Sequence, residues 1–178
     1  MNQQMTMMNH EPLHIAGINY DSFVDGEGVR TAIYLSGCDH HCPGCQNEAA
    51  QNPGYGIVAD DATIDRIAAE INARPYLSGI TLTGGDPLYH HEQTLEFLLT
   101  LRKRLTRPLS VWLYTGDVWE NVCSLDIMDL TDVLVDGPYD REQADKRLQF
   151  RGSSNQRIID VKASRAADRV IEWKDTTN

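Results

Sequence analysis

A chain of 178 residues has room for one domain with short extensions, because compact domains run to about 100 to 200 residues. With 41% hydrophobic and 24% charged residues, its composition is that of an ordinary globular protein rather than a disordered, collagen-like or membrane chain. A formal net charge of -10 argues against a sequence-independent grip on a polyphosphate backbone, which needs clustered Lys and Arg, so nucleic acid is not an expected partner.

The first ten residues, MNQQMTMMNH, lack the basic start and apolar run of a secretory signal, and the expected location is cytoplasmic. Residues 1–11 read as an N-terminal extension to a domain over 12–163. No stretch approaches the roughly 18 apolar residues that span a bilayer. Leu13 to Ile18 and Thr31 to Gly37 read as short strands, separated by a polar link containing Asp25-Gly-Glu-Gly28. From Asp60 the apolar residues Ile64, Ile67, Ala68 and Ile71 recur at helical spacing, with Asp60 and Asp61 available as caps. Gly79 to Thr83 reads as a buried strand stopping at Gly84-Gly85, and Leu95, Leu98, Leu99 and Leu105 mark a second amphipathic helix. A basic group at Arg102, Lys103, Arg104 and Arg107 ends that helix, where cations complement the helix dipole. Strands then follow at Leu109 to Tyr114, Asp132 to Val135 and Arg157 to Val161, with a helix from Asp117 to Cys123. Residues 164–178 form a charged tail or a short docked helix, with Val170, Ile171 and Trp173 as anchors.

Alternating strands and helices predict an α/β fold with a mostly parallel sheet covered by helices. The chain is too short for an eightfold barrel, which takes about 250 residues. An open partial barrel and a doubly wound sheet both remain. In either, the loops after the strands gather on one edge, where ligands bind.

The segment Cys38-Asp-His-His-Cys42-Pro-Gly-Cys45 puts three thiols on one compact loop, and three of four cysteines within eight positions is not the spacing of a disulfide framework. Soft sulfur ligands suit an iron–sulfur centre or zinc. A cubane held by three cysteines keeps one iron open to substrate. Zinc would need His40 or His41 as a fourth ligand, and adjacent histidines inside the cysteine loop are poorly spaced for that, so the spacing favours iron and sulfur. Cys123, on the apolar side of its helix with Val118, Trp119 and Val122, reads as core packing.

Together with this loop, Asp25-Gly-Glu-Gly-Val-Arg30, Gly84-Gly-Asp-Pro87, Val135-Asp-Gly137 and Arg151-Gly-Ser-Ser-Asn-Gln156 carry a resemblance. The three-then-two cysteine spacing is that of radical S-adenosylmethionine enzymes, and the joint pattern, over residues 14 to 160, resembles the small activases of anaerobic ribonucleoside-triphosphate reductase. The resemblance implies a partial open (β/α) barrel with helices outside, over residues 12–163. It implies an oxidoreductase that holds one 4Fe-4S cluster on Cys38, Cys42 and Cys45 and cleaves S-adenosyl-L-methionine reductively. A glycyl radical on the reductase would result, with an electron donor such as flavodoxin or ferredoxin. Other glycyl-radical activases and a zinc-stabilised binding module are the competing readings; the lack of a second cysteine-rich cluster argues against activases with extra ferredoxin-like clusters.

By the same resemblance, Gly44, Cys45 and Gln46 line the adenosyl side of the pocket through their backbone. Gly84 and Gly85, without side chains, can bring carbonyls close to an ammonium group. Asp86 would strengthen that site, against a reading as a polar turn residue before Pro87. Asp136 would meet ribose hydroxyls or shape the pocket, against a turn with Gly137 and Pro138. Thr115 would contact the ligand or cap the following helix. Asn47 would brace the loop's return to the core, against a reading as a turn residue bonding its own backbone. Arg30, flanking a strand, reads as a solvated charge rather than a contact to partner or cofactor.

Overall fold

The computed structural model describes residues 11–175. Seven strands form one open sheet in the order β3-β1-β2-β4-β5-β6-β7, where β1 is His14–Ser22, β2 Arg30–Leu35, β3 Ile57–Val58, β4 Gly79–Gly84, β5 Ser110–Tyr114, β6 Val133–Asp136 and β7 Arg157–Asp160. The four central strands, β2, β4, β5 and β6, run parallel. The flanks are antiparallel: β1 pairs with β2 and β3, and β7 pairs with β6. Because β3 and β7 are edges and do not pair with each other, the sheet does not close into a barrel.

The parallel strands are joined by helices, as strands running the same way require. Helix α1 (Asp61–Asn72) joins β3 to β4 and starts where the Asp60 carboxylate accepts the Thr63 N–H at 2.8 Å. It buries Ile64, Ile67, Ala68 and Ile71, the residues whose spacing predicts it. Helix α2 (His91–Arg104) joins β4 to β5 and buries Phe97, Leu98 and Leu101; Arg104 in its last turn pairs with Asp61 and, at 3.0 Å, Asp65 of α1. Leu105 falls just beyond the helix as its C-cap. Two short helices follow, α3 (Trp119–Val122) and α4 (Val161–Ala167).

Strand alternation sorts side chains into two layers. On β5 and β6, Val111, Leu113 and Leu134 join the main core with α1 and α2, which also takes in Ile33, Ile80 and Leu82. Trp112, Val133 and Val135 face the other way, where Tyr114, Phe150, Ile158 and Trp173 pack on them. Cys123 is partly buried against the main core, where the sequence puts it.

Three features differ from the sequence reading. Ile57 and Val58 form an edge strand although both are exposed, so no hydrophobic alternation announces it. The outer pairs are antiparallel, which alternation of strand and helix does not reveal. Arg30 is not solvated but 1% exposed, because five hydrogen bonds from its guanidinium and the face of Trp112, 5.5 Å away, replace water. The anticipated extension lies, apart from Glu11, outside the described residues. At the other end the chain doubles back after α4: Asp160 N–H donates to Ile171 O at 2.9 Å, Trp173 N–H donates to Ile158 O at 2.9 Å, and the Trp173 ring packs 5.1 Å from Trp112. Among the described residues, no helix is long and apolar enough to cross a membrane.

Candidate functional site

The C-terminal ends of the four parallel strands deliver four loops to one edge: Ser36 onward, Gly84-Gly85-Asp86, Thr115-Gly116-Asp117 and Gly137 onward. The cysteine loop leaves β2 and is drawn back by Gly37 N–H to Ala50 O (2.8 Å) and Cys38 N–H to Gln51 O (3.2 Å). A tight turn joins Cys42 to Cys45, whose N–H donates to Cys42 O at 3.1 Å, with Gly44 at φ +76°.

Gly84 and Gly85 are bare for a reason closer to hand than a ligand. Gly84 has φ +111°, and a Cβ there would stand 2.6 Å from the backbone of Leu35; one on Gly85 would stand 2.5 Å from Gly37 O. The strand end must pass directly beneath the cysteine loop, and Gly85 N–H to Leu35 O and Asp86 N–H to Gly37 O, both 2.7 Å, tie the two together.

A cavity of about 210 Å³ opens over this edge, lined by Cys38, Cys42, Cys45, Gln46, Gly84, Gly85 and Thr115 among others. The structure therefore brings together most of the residues singled out from sequence. It adds His40, Tyr114, Gly116, Tyr139, Gly152 and Gln156, which the sequence did not assign to the pocket. Tyr114 was hidden within an apolar strand; Gly152 and Gln156 belong to the Arg151–Gln156 motif, whose signal was present but had no assigned place. Gln156 stitches that motif to the strand end, accepting from Gly152 N–H at 2.9 Å and donating to Gly137 O at 3.0 Å. Gly44 sits on the outer side of the turn, where a Cβ would stand 3.3 Å from Arg141 Cδ.

Two acids do not line the cavity. Asp86 is 3% exposed, and its carboxylate accepts from Leu88 N–H (2.8 Å), His40 Nε2–H (2.7 Å), Thr115 Oγ1–H (2.8 Å) and Gly116 N–H (2.9 Å). Asp136 is 1% exposed; it accepts the Trp119 N–H at 2.7 Å and binds Arg157 through Nε at 3.0 Å and Nη2 at 2.5 Å. Thr115 spends its proton on Asp86 and accepts from Asp117 N–H at 3.1 Å, so it caps the turn as well as facing the cavity. Burial pushes the Cys38 thiol up to about 11, so a metal arriving there displaces a proton. Desolvation likewise pushes Tyr114 above the usual range, and its hydroxyl donates to Phe150 O at 2.7 Å.

Beside this cavity lies a larger groove of about 770 Å³, between exposed Phe23 and Val24 and the segment 144–152. The two share Gln46, Tyr114, Tyr139 and Gly152, so one opens onto the other.

A domain family described as a 4Fe-4S single cluster domain matches residues 24–159. The anaerobic ribonucleoside-triphosphate reductase-activating protein of Enterobacteria phage T4 is 35% identical over 147 residues, which covers 79% of this chain and 93% of that protein. Its namesake from Salmonella typhimurium is 37% identical over 139 residues, covering 75% and 89%, and that of Haemophilus influenzae 36% over 141 residues, covering 76% and 90%. The chain belongs to the family of anaerobic ribonucleoside-triphosphate reductase-activating proteins.

The donor set fits the family's 4Fe-4S centre. All three loop cysteines are free thiols. A single zinc, with Zn–S bonds near 2.3 Å, draws its thiolates to roughly 3.8 Å from one another. Among the described residues, His40, Asp86 and Asp117 form a group of three donors mutually within 4.8 Å, and the three thiols together do not. His40 and His41 each use one ring nitrogen within the protein, His40 with Asp86 and His41 with Gln51 Oε1 at 3.3 Å.

Proposed function

We propose that the chain holds a 4Fe-4S cluster on Cys38, Cys42 and Cys45 and uses it to cleave S-adenosyl-L-methionine, generating a glycyl radical on anaerobic ribonucleoside-triphosphate reductase. The observation that carries this reading is convergence: three free thiols and the ends of β4 and β5 line one cavity in a chain of this family. Held by Cys38, Cys42 and Cys45, such a cluster would supply the single electron that reductive cleavage of the sulfonium carbon–sulfur bond needs, giving methionine and a 5'-deoxyadenosyl radical. That radical takes a hydrogen atom from a glycine Cα of the reductase and leaves as 5'-deoxyadenosine.

The chain's residues bind, orient and shield. The carbonyls of Gly84 and Gly85 offer acceptors to the substrate ammonium, and the backbone of Cys45 and Gln46 lines the adenosyl side, while Gly44 shapes the turn that carries them. Thr115 completes the wall. Asp86 and Asp136 act from behind it: the first fixes the cysteine loop and the end of β5, the second fixes Arg157 and the start of α3. The larger groove admits the glycine-bearing segment of the reductase, since it opens onto the cavity through Gln46, Tyr114, Tyr139 and Gly152. Residues 12–163 form the catalytic unit, and the electron comes from a low-potential donor such as flavodoxin or ferredoxin in the cytoplasm.

The test is anaerobic. Reconstituted protein with S-adenosylmethionine and dithionite should form 5'-deoxyadenosine, Cys42→Ala should form none, and adding the reductase should produce a glycyl radical signal by electron paramagnetic resonance. Turnover without a radical on the reductase would redirect the activity to a different glycyl-radical partner. No turnover from the intact protein would reject the radical chemistry altogether.

A further inference from the structure

Between Cys38 and Cys42 the loop sends one residue inward. His40 reaches 2.7 Å to the buried Asp86 carboxylate, a side-chain hydrogen bond that leaves the 38–51 segment, whereas His41 bonds Gln51 within it. The ring lies where Gly116 has no side chain: a Cβ there would meet the His40 ring atoms at 2.5 to 2.7 Å. Gly116 has no left-handed φ, so its bareness answers to the histidine rather than to its backbone.

We infer that His40 is a positioning residue, a pin that fixes the cysteine loop against the ends of β4 and β5 by donating to Asp86 while seated on Gly116. Its consequence for a bound cluster rests on the proposed function above; the pin itself does not. Asp86 joins the pin to the rest of the cavity, because the oxygen that accepts from His40 also accepts from Thr115 and Gly116. Movement of the loop is thereby coupled to the strand end that faces the substrate. The proximity of His40, Asp86 and Asp117 has a competing explanation as a cation site. That explanation is weaker, since the Asp86 oxygen within reach already receives three donors.

Two experiments decide. In the metal-free chain, nuclear magnetic resonance of the His40 ring should show a proton fixed on Nε2 and slow to exchange, in wild type but not in Asp86→Ala. A freely exchanging ring in wild type overturns the inference whether or not iron ever binds. In reconstituted protein, His40→Ala and Gly116→Ala should release iron to a chelator about 10-fold faster than wild type, the scale on which outer partners of metal ligands act. Both should also shift the paramagnetic spectrum of the reduced cluster. His40→Gln, which keeps an N–H within reach of the carboxylate, should recover most of the loss. Wild-type iron retention in His40→Ala and Gly116→Ala would overturn the inference, as would stoichiometric Mn(II) binding to the metal-free chain that is lost in Asp117→Asn. Failure of wild type itself to take up iron, with the fixed Nε2 proton present, would sink the proposed function and leave the pin standing.

Discussion

The two ends of the parallel strands are built on opposite rules. At the N-terminal ends, Arg30 starts β2 and its guanidinium saturates its surroundings: Thr81 Oγ1 at 2.9 Å, Glu27 O at 3.2 Å, Ser110 Oγ at 3.1 Å, Ile80 O at 2.8 Å and Ser110 O at 2.9 Å. Gly79 beside it makes room, since a Cβ would lie 2.2 Å from Arg30 Nη2. Burial lowers the guanidinium to about 10, which leaves it charged at neutral pH. At the C-terminal ends β4 stops in Gly84, the other parallel strands meet a glycine within two residues of their ends, and the loop holds three free thiols facing a cavity. On the floor, at the N-terminal ends, the Arg30 guanidinium spends its donors internally, whereas the upper edge keeps three thiols facing the cavity. The contrast teaches that one sheet can be rigid where it needs no chemistry and open where it does.

Breaking the floor should have the largest effect on folding. Arg30→Met removes a buried cation whose partners are left without donors, and should cost about 3 to 5 kcal/mol, read from urea denaturation. Gly84→Ala strikes the seam between fold and site: the strained φ and the collision with Leu35 should cost about 2 to 3 kcal/mol, with substrate affinity falling in whatever protein folds. Asp136→Asn should cost about 2 kcal/mol, because charge-assisted bonds to Arg157 and Trp119 weaken together, and the trypsin sensitivity of α3 and the adjoining loop should rise. Cys42→Ala should change metal-free stability by no more than about 0.5 kcal/mol, since that partly exposed thiol makes no packing contact on which the core depends, yet 5'-deoxyadenosine formation should vanish. If Cys42→Ala unfolds the metal-free protein, or Arg30→Met folds at wild-type stability with altered cleavage, the division between floor and site is wrong.

What sequence disclosed follows the reach of its signals. Helices α1 and α2 announce themselves through apolar spacing and the Asp60 cap, and β4, β5 and β6 through short apolar runs, because all of these are local patterns. The cysteine spacing and the Arg151–Gln156 motif are local too. Arg30 could not be read correctly because its acceptors lie 50 and 80 positions away, and a strand-flanking arginine looks the same in water as in a cage. Asp86 posed the same problem: its role is set by His40, 46 positions earlier, and Gly116, 30 positions later. Strand direction at the sheet's flanks was likewise hidden, since β7 pairs with β6 through a connection whose turns and bridges carry no simple period.

The central claim is that Cys38, Cys42 and Cys45 hold a four-iron centre, and metal analysis tests it most directly. Anaerobically prepared and reconstituted protein should contain about four iron and about four sulfide per chain. One zinc per chain, with no iron or sulfide retained after reconstitution, would contradict the account.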